Sequence, residues 1–110
     1  MKTLKLAISI LAALFASTAI AAGTGTGTFL TPYAMPGGQV IVYTSTAPAG
    51  QPACATSARF AIDGTTAGGK VQNSWIEMAF AMNKLVTVIG AGTCTVQATS
   101  EDISYFVIAN

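Results

Sequence analysis

The stretch that most constrains the fold runs from Thr65 to Cys94, TTAGGKVQNSWIEMAFAMNKLVTVIGAGTC. Either Thr65 or Thr66 can cap a helix, because a threonine hydroxyl accepts an orphan N–H of the first turn. Beyond it the apolar positions Val71, Trp75, Met78, Ala79 and Met82 recur at helical spacing, and Ile76 and Phe80 widen that stripe. Asn83 tolerates the left-handed conformation that stops a helix, and Lys84 suits its negative end. The spacing predicts a helix over residues 67 to 82. Leu85 to Ile89 then reads as an apolar strand in the middle of a sheet, and Gly90-Ala91-Gly92 as a bend. Cys94 can close back on Cys54.

That closure depends on compartment. Lys2 and Lys5 form a positive n-region, Leu6 to Ala16 an apolar h-region, and Ala19-Ile20-Ala21 an A-x-A cleavage signal. Residues 1–22 are therefore expected to be a removable signal peptide, cut after Ala21 or Ala22. The apolar run is about 11 residues, too short for a permanent span of roughly 20. An exported chain, periplasmic or extracellular, with two cysteines favours one disulfide, Cys54–Cys94. Closing a loop of that length removes unfolded-chain entropy worth roughly 4 kcal/mol on the chain-entropy account.

Removing Lys2 and Lys5 turns the formal net charge from +1 to −1, leaving Arg59, Lys70 and Lys84 against Asp63, Glu77, Glu101 and Asp102. No basic cluster remains to grip a nucleic acid or an anionic lipid surface. Charged residues are 8% of the chain, where roughly 25% is usual. Such a surface does little to resist self-association, so a homo-oligomer is an expected partner state.

Along the rest of the chain, the GTGTGT repeat of Gly23 to Thr28 reads as a frayed tail, since alternate glycines weaken a strand. Thr28 to Met35 is β-prone but broken by Pro32, which suits an edge or a bulge. Pro36-Gly37-Gly38 is a turn, Gln39 to Thr46 a second strand, and Ala47 to Pro52 a loop. Cys54 to Ile62 reads as a third strand, with Ala58, Phe60 and Ile62 on one face and Arg59 and Ala61 on the other. Ser100-Glu101-Asp102 reads as a solvated turn before a closing strand, Ile103 to Ala109. The order β-β-β-α-β-β in a single domain, residues 23–110, is that of an OB-fold-like five-stranded barrel. A looser α+β sandwich uses the same elements.

No catalytic constellation is visible. With no histidine, neither a Ser-His-Asp nor a Cys-His arrangement can form, and paired cysteines are not nucleophiles. TTAGGK lacks the spacing of a phosphate loop. Two adjacent acids do not supply the six to eight oxygens that calcium takes. The chain is read as a non-enzyme with no catalytic or metal residues and no cofactor. Tyr33 and Tyr43, flanking the first hairpin, are the candidates for stacking on a ligand, whereas Trp75 sits on the helix stripe.

The segments QPACATSARFAIDGTTAGGK, KLVTVIGAGTC and EDISYFVI also resemble a family of small secreted bacterial proteins of uncharacterised function. The matching positions are Pro52, Cys54 and Ala55; Arg59, Phe60, Ile62 and Asp63; Thr66, Gly69 and Lys70; Val86, Val88, Gly90, Gly92, Thr93 and Cys94; and Glu101, Tyr105, Phe106 and Ile108. After Cys94 the chain departs from that pattern, with TVQATSED where the family has a tryptophan-containing run. More remotely, the layout is similar to the B subunits of subtilase-cytotoxin and pertussis-type toxins. That resemblance implies a homopentamer around central helices and a glycan as ligand.

Overall fold

The computed structural model describes residues 21–109. Apart from Ala21 and Ala22, the expected signal peptide lies outside the described residues. Among the described residues, no helix is long and apolar enough to cross a membrane.

Among the described residues the chain is mainly β with one helix. Its elements are β1 (Thr24–Thr28), β2 (Tyr33–Ala34), β3 (Gln39–Val42), β4 (Phe60–Asp63), α1 (Ala67–Ala81), β5 (Leu85–Gly90) and β6 (Glu101–Ile108). Six strands form one sheet in the order β1-β5-β6-β4-β3-β2. All pairings are antiparallel except β4 with β6, which is parallel over Phe60↔Glu101 and Ala61↔Asp102. The sheet is open and has six strands, where the OB-fold-like barrel expected from the sequence has five. Of the first expected strand, Thr28 to Met35, only Thr28 at the end of β1 and Tyr33–Ala34 in β2 are strand, and among the described residues no regular ladder joins the two ends of the sheet. Instead the irregular segment 43–49 lies against the outer edge of β1, through Ser45 N–H to Thr28 O (2.9 Å), Thr46 N–H to Thr26 O (3.1 Å) and a two-way pair between Thr24 and Ala49.

The GTGTGT repeat is therefore a paired strand, not a frayed tail: Thr24 to Thr28 runs in register with Ile89 to Leu85. Its glycines are required by what packs on them. A Cβ at Gly25 would lie 2.7 Å from the Phe60 ring and 2.8 Å from Thr44 Oγ1, and Gly27 has φ +105 with Ser45 close against it. Loss of intrinsic strand propensity is offset by contacts that no larger residue permits.

The core lies on one face of the sheet. Val40 and Val42, Phe60 and Ile62, and Val86 and Val88 meet Phe29 and the helical residues Ile76 and Ala79 there, with Ile103, Phe106 and Ile108 packed against them. Phe29 and Phe106 meet edge to face at 5.5 Å. β5 alternates as its sequence implies, with Val86 and Val88 buried and Leu85 and Thr87 exposed.

The helix ends behave as local chemistry dictates. Thr66 Oγ1 accepts the Gly69 N–H at 2.9 Å. At the other end Asn83 takes φ +51, and the Lys84 N–H reaches Ala79 O while the Asn83 N–H reaches Phe80 O. This is the paired closure in which a left-handed residue satisfies the last carbonyls.

Two expectations fail here. Residues 54–59 are not strand: Ala58 has φ +48, and the segment is held by the Cys54–Cys94 disulfide (Cα–Cα 6.2 Å) and by Ser57 N–H to Thr99 O (3.1 Å). Ala61, which alternation sets opposite Phe60 and Ile62, is fully buried too. Glu101 and Asp102 are not a solvated turn either. They open β6, at 0% and 9% exposure.

Candidate functional site

The two tyrosines singled out in the sequence come together. β2 and β3 pair with Tyr33 opposite Ile41, which brings Tyr33 and Tyr43 edge to face at 6.1 Å. Tyr33 is half exposed and Tyr43 half buried. Arg59 joins them, a residue that sequence reasoning placed on a strand face and did not propose for a site. Its Nη1 donates to Tyr43 Oη (3.3 Å), its Nε to Ser100 Oγ (2.7 Å) and its Nη2 to Thr99 Oγ1 (3.2 Å). The guanidinium is thus held by hydroxyls alone. It lines a hollow of about 300 Å³ with Tyr33, Met35, Pro36 and Ile41.

A larger groove, about 380 Å³, lies between α1 and β6 and is lined by Val71, Gln72, Trp75, Tyr105, Phe106 and Ile108. It exists because the helix does not bury the stripe that its spacing suggests. Only Gly69, Ile76 and Ala79 of α1 are buried. Val71, Trp75, Met78 and Met82 stand 38–59% exposed, as do Tyr105, which lines the same groove, at 54% and Val107 of β6 at 56%. These side chains leave on the order of 500 Å² of apolar surface in water, at the upper end of what a monomer carries.

Among the described residues, the strand edge facing this groove has no partner strand. β4 contacts only Glu101 and Asp102 of β6, so from Ile103 onward β6 has β5 on one side alone. The Ala109 N–H bonds to Leu85 O, and by alternation the backbone groups of Phe106 and Ile108 turn toward the open side. Ser104 O accepts Gln72 Nε2 there at 3.1 Å.

The carboxylates are occupied internally. Asp102 accepts the Thr95 and Val96 N–H groups (both 3.0 Å) and the Thr93 and Thr95 hydroxyls (2.7 and 2.6 Å). Burial pushes its carboxyl up, but the Thr95 hydroxyl, the Val96 N–H, the Thr93 hydroxyl and the Thr95 N–H outweigh that, and the group sits below the usual carboxylate range. Asp63 accepts the Thr65 hydroxyl and N–H, which lower its carboxyl likewise. Glu101 accepts the N–H of Gly23 and of Gly92. Among the described residues, no three of His, Cys, Asp or Glu come together as a metal site.

No family model matches this chain, and neither a curated protein nor a solved structure matches it significantly.

Proposed function

We propose that this protein is an exported, non-catalytic assembly module whose first partner is a second copy of itself. The observation that carries this reading is the row Val71, Trp75, Met78 and Met82, exposed along α1, of which Val71 and Trp75 line the groove beside the open edge of β6. An uncharged strand edge left unpaired is a template for another strand. Antiparallel pairing of two β6 edges about Phe106 sets Tyr105 opposite Val107 and Ser104 opposite Ile108, with no charge between Ile103 and Ala109 to repel its copy. With the strand backbone added to the apolar side chains, the face reaches on the order of 800 Å² per copy, the size of a standard interface.

Strand order, the parallel β4/β6 pair and the helix between β4 and β5 support an OB-like reading of the fold. On that reading the resemblance to toxin B subunits supplies a second function, a glycan-binding pentamer. Exposed Tyr33 beside Arg59 favours it, because an aromatic face and a cation suit a sugar ring and its polar groups.

Light scattering on the exported protein across a concentration series tests both. A dimer that Trp75→Ser and Val107→Lys each return to monomer is expected. A fivefold mass would favour the second reading, and a monomer at every concentration would overturn self-assembly.

A further inference from the structure

Glu101 has no exposed surface, and its hydrogen-bond donors are neutral. The Gly92 N–H reaches Oε2 at 2.9 Å, and the Gly23 N–H is shared between both oxygens at 3.2 and 3.0 Å. Arg59, whose carbonyl accepts the Glu101 N–H at 3.2 Å, spends its guanidinium on Tyr43, Thr99 and Ser100. Taking a carboxylate out of water costs several kcal/mol unless a positive charge or a full set of donors replaces the water. One peptide hydrogen divided between two oxygens is a poor replacement.

Gly23 lies one residue past one of the two cleavage points expected for the signal peptide. It is buried, and its own carbonyl accepts the Gly90 N–H at 2.8 Å, whereas Ala22 is exposed. Only glycine fits there, because a Cβ would come within 2.6 Å of Glu101 Oε1 and collide with Gln51.

We propose that the signal peptide is cut between Ala22 and Gly23, and that the α-ammonium so formed seats on Glu101 as a buried ion pair. Hydrolysis by the leader peptidase adds one water across the bond, leaving a carboxylate on Ala22 and an ammonium on Gly23. The ammonium brings three hydrogens and a full charge to the place where the peptide offered one hydrogen and none. Ala22 supplies the small residue directly before the cut, with Ile20 in place of the first alanine of the A-x-A signal. A cut after Ala21 would leave the charge on exposed Ala22, a residue too far along the chain, roughly 3.5 Å, to replace that donor. Processing then completes the fold, joining the first residue of the mature chain to the first residue of β6.

This inference rests on the export reading, and the experiment separates the two. The full gene is expressed with its own leader, and the product recovered outside the cytoplasm is analysed by intact mass and N-terminal sequencing. A chain beginning at Gly23 is expected. An exported chain beginning at Ala22 overturns the ion pair alone, whereas an uncut chain retained in the cell overturns export as well. The exported protein is then treated with an N-terminus-selective aldehyde at neutral pH. Pairing that raises the ammonium's pKa by one unit leaves tenfold less free amine, so folded protein should label at least about tenfold more slowly than urea-unfolded protein. Equal rates overturn the proposal. In exported Glu101→Gln the folded protein should regain labelling several-fold, and labelling as slow as in the parent would show burial without pairing and overturn it too. If that variant fails to accumulate, the folded-against-unfolded comparison decides.

Discussion

Asp102→Asn tests whether loop 93–96 is held to the sheet by a charge. The substitution conserves shape but replaces an ionised acceptor of four donors, the Thr95 and Val96 N–H groups and the Thr93 and Thr95 hydroxyls, with a neutral amide. Charge-assisted bonds are roughly twice as strong as neutral ones, so each loses roughly 0.5–1 kcal/mol and the total comes to about 3 kcal/mol. For a domain of this size that lowers the melting temperature by roughly 15 °C. The pH dependence distinguishes charge from shape. Asp102 is depressed in the folded state, so its stabilisation is fully present above the unfolded value of about 3.9 and is lost as pH falls through the lower folded value. Asp63, also depressed, is present in both proteins and cancels from the comparison. Thermal unfolding followed by circular dichroism should show a wide gap between parent and variant at pH 7 that narrows toward pH 2. A gap that is absent at pH 7, or unchanged at pH 2, would refute the reasoning.

Two further substitutions probe the staple and the helix start. Replacing Cys54 and Cys94 together by alanine reopens a loop of sequence separation 40 and should cost about 4 kcal/mol, read as a large fall in melting temperature. The Ser57–Thr99 backbone bond still joins the same loops, so the folded spectrum should persist, and an unchanged melting temperature would sink the staple argument. Thr66→Ala removes the hydroxyl that accepts the Gly69 N–H and should cost about 1 kcal/mol by urea unfolding, while Thr66→Ser should restore most of it.

What the chain discloses about itself divides by the range of the interactions involved. The helix was legible nearly to the residue because its signals are local: Thr66 caps the turn that follows it, and Asn83 closes the turn before it. β5 was legible for the same reason, since alternation of Val86 and Val88 with Leu85 and Thr87 needs no knowledge of the partner strand. Tyr33 and Tyr43 flank one hairpin, so their meeting followed from a short connection. Arg59 was missed because its partners, Ser100 and Thr99, lie about 40 residues away along the chain and arrive with the disulfide loop. The GTGTGT repeat and the Glu101-Asp102 pair were misread by one mechanism. Each has a composition that is unfavourable in isolation, alternate glycines in a strand and two acids at the head of an apolar one. Each becomes favourable once a distant segment supplies what it lacks. Segment 43–49 and the Phe60 ring need the space beside Gly25 and Gly27, while residues 93–96 bring the donors that Asp102 requires and Gly23 and Gly92 reach Glu101. Intrinsic propensity is a fraction of a kcal/mol per residue, and a satisfied buried carboxylate outweighs it severalfold. The helix stripe was legible as spacing but not as burial: the sheet covers Ile76 and Ala79, while Val71, Trp75, Met78 and Met82 stay exposed, because spacing marks which residues share a face and not how much of that face a neighbour reaches.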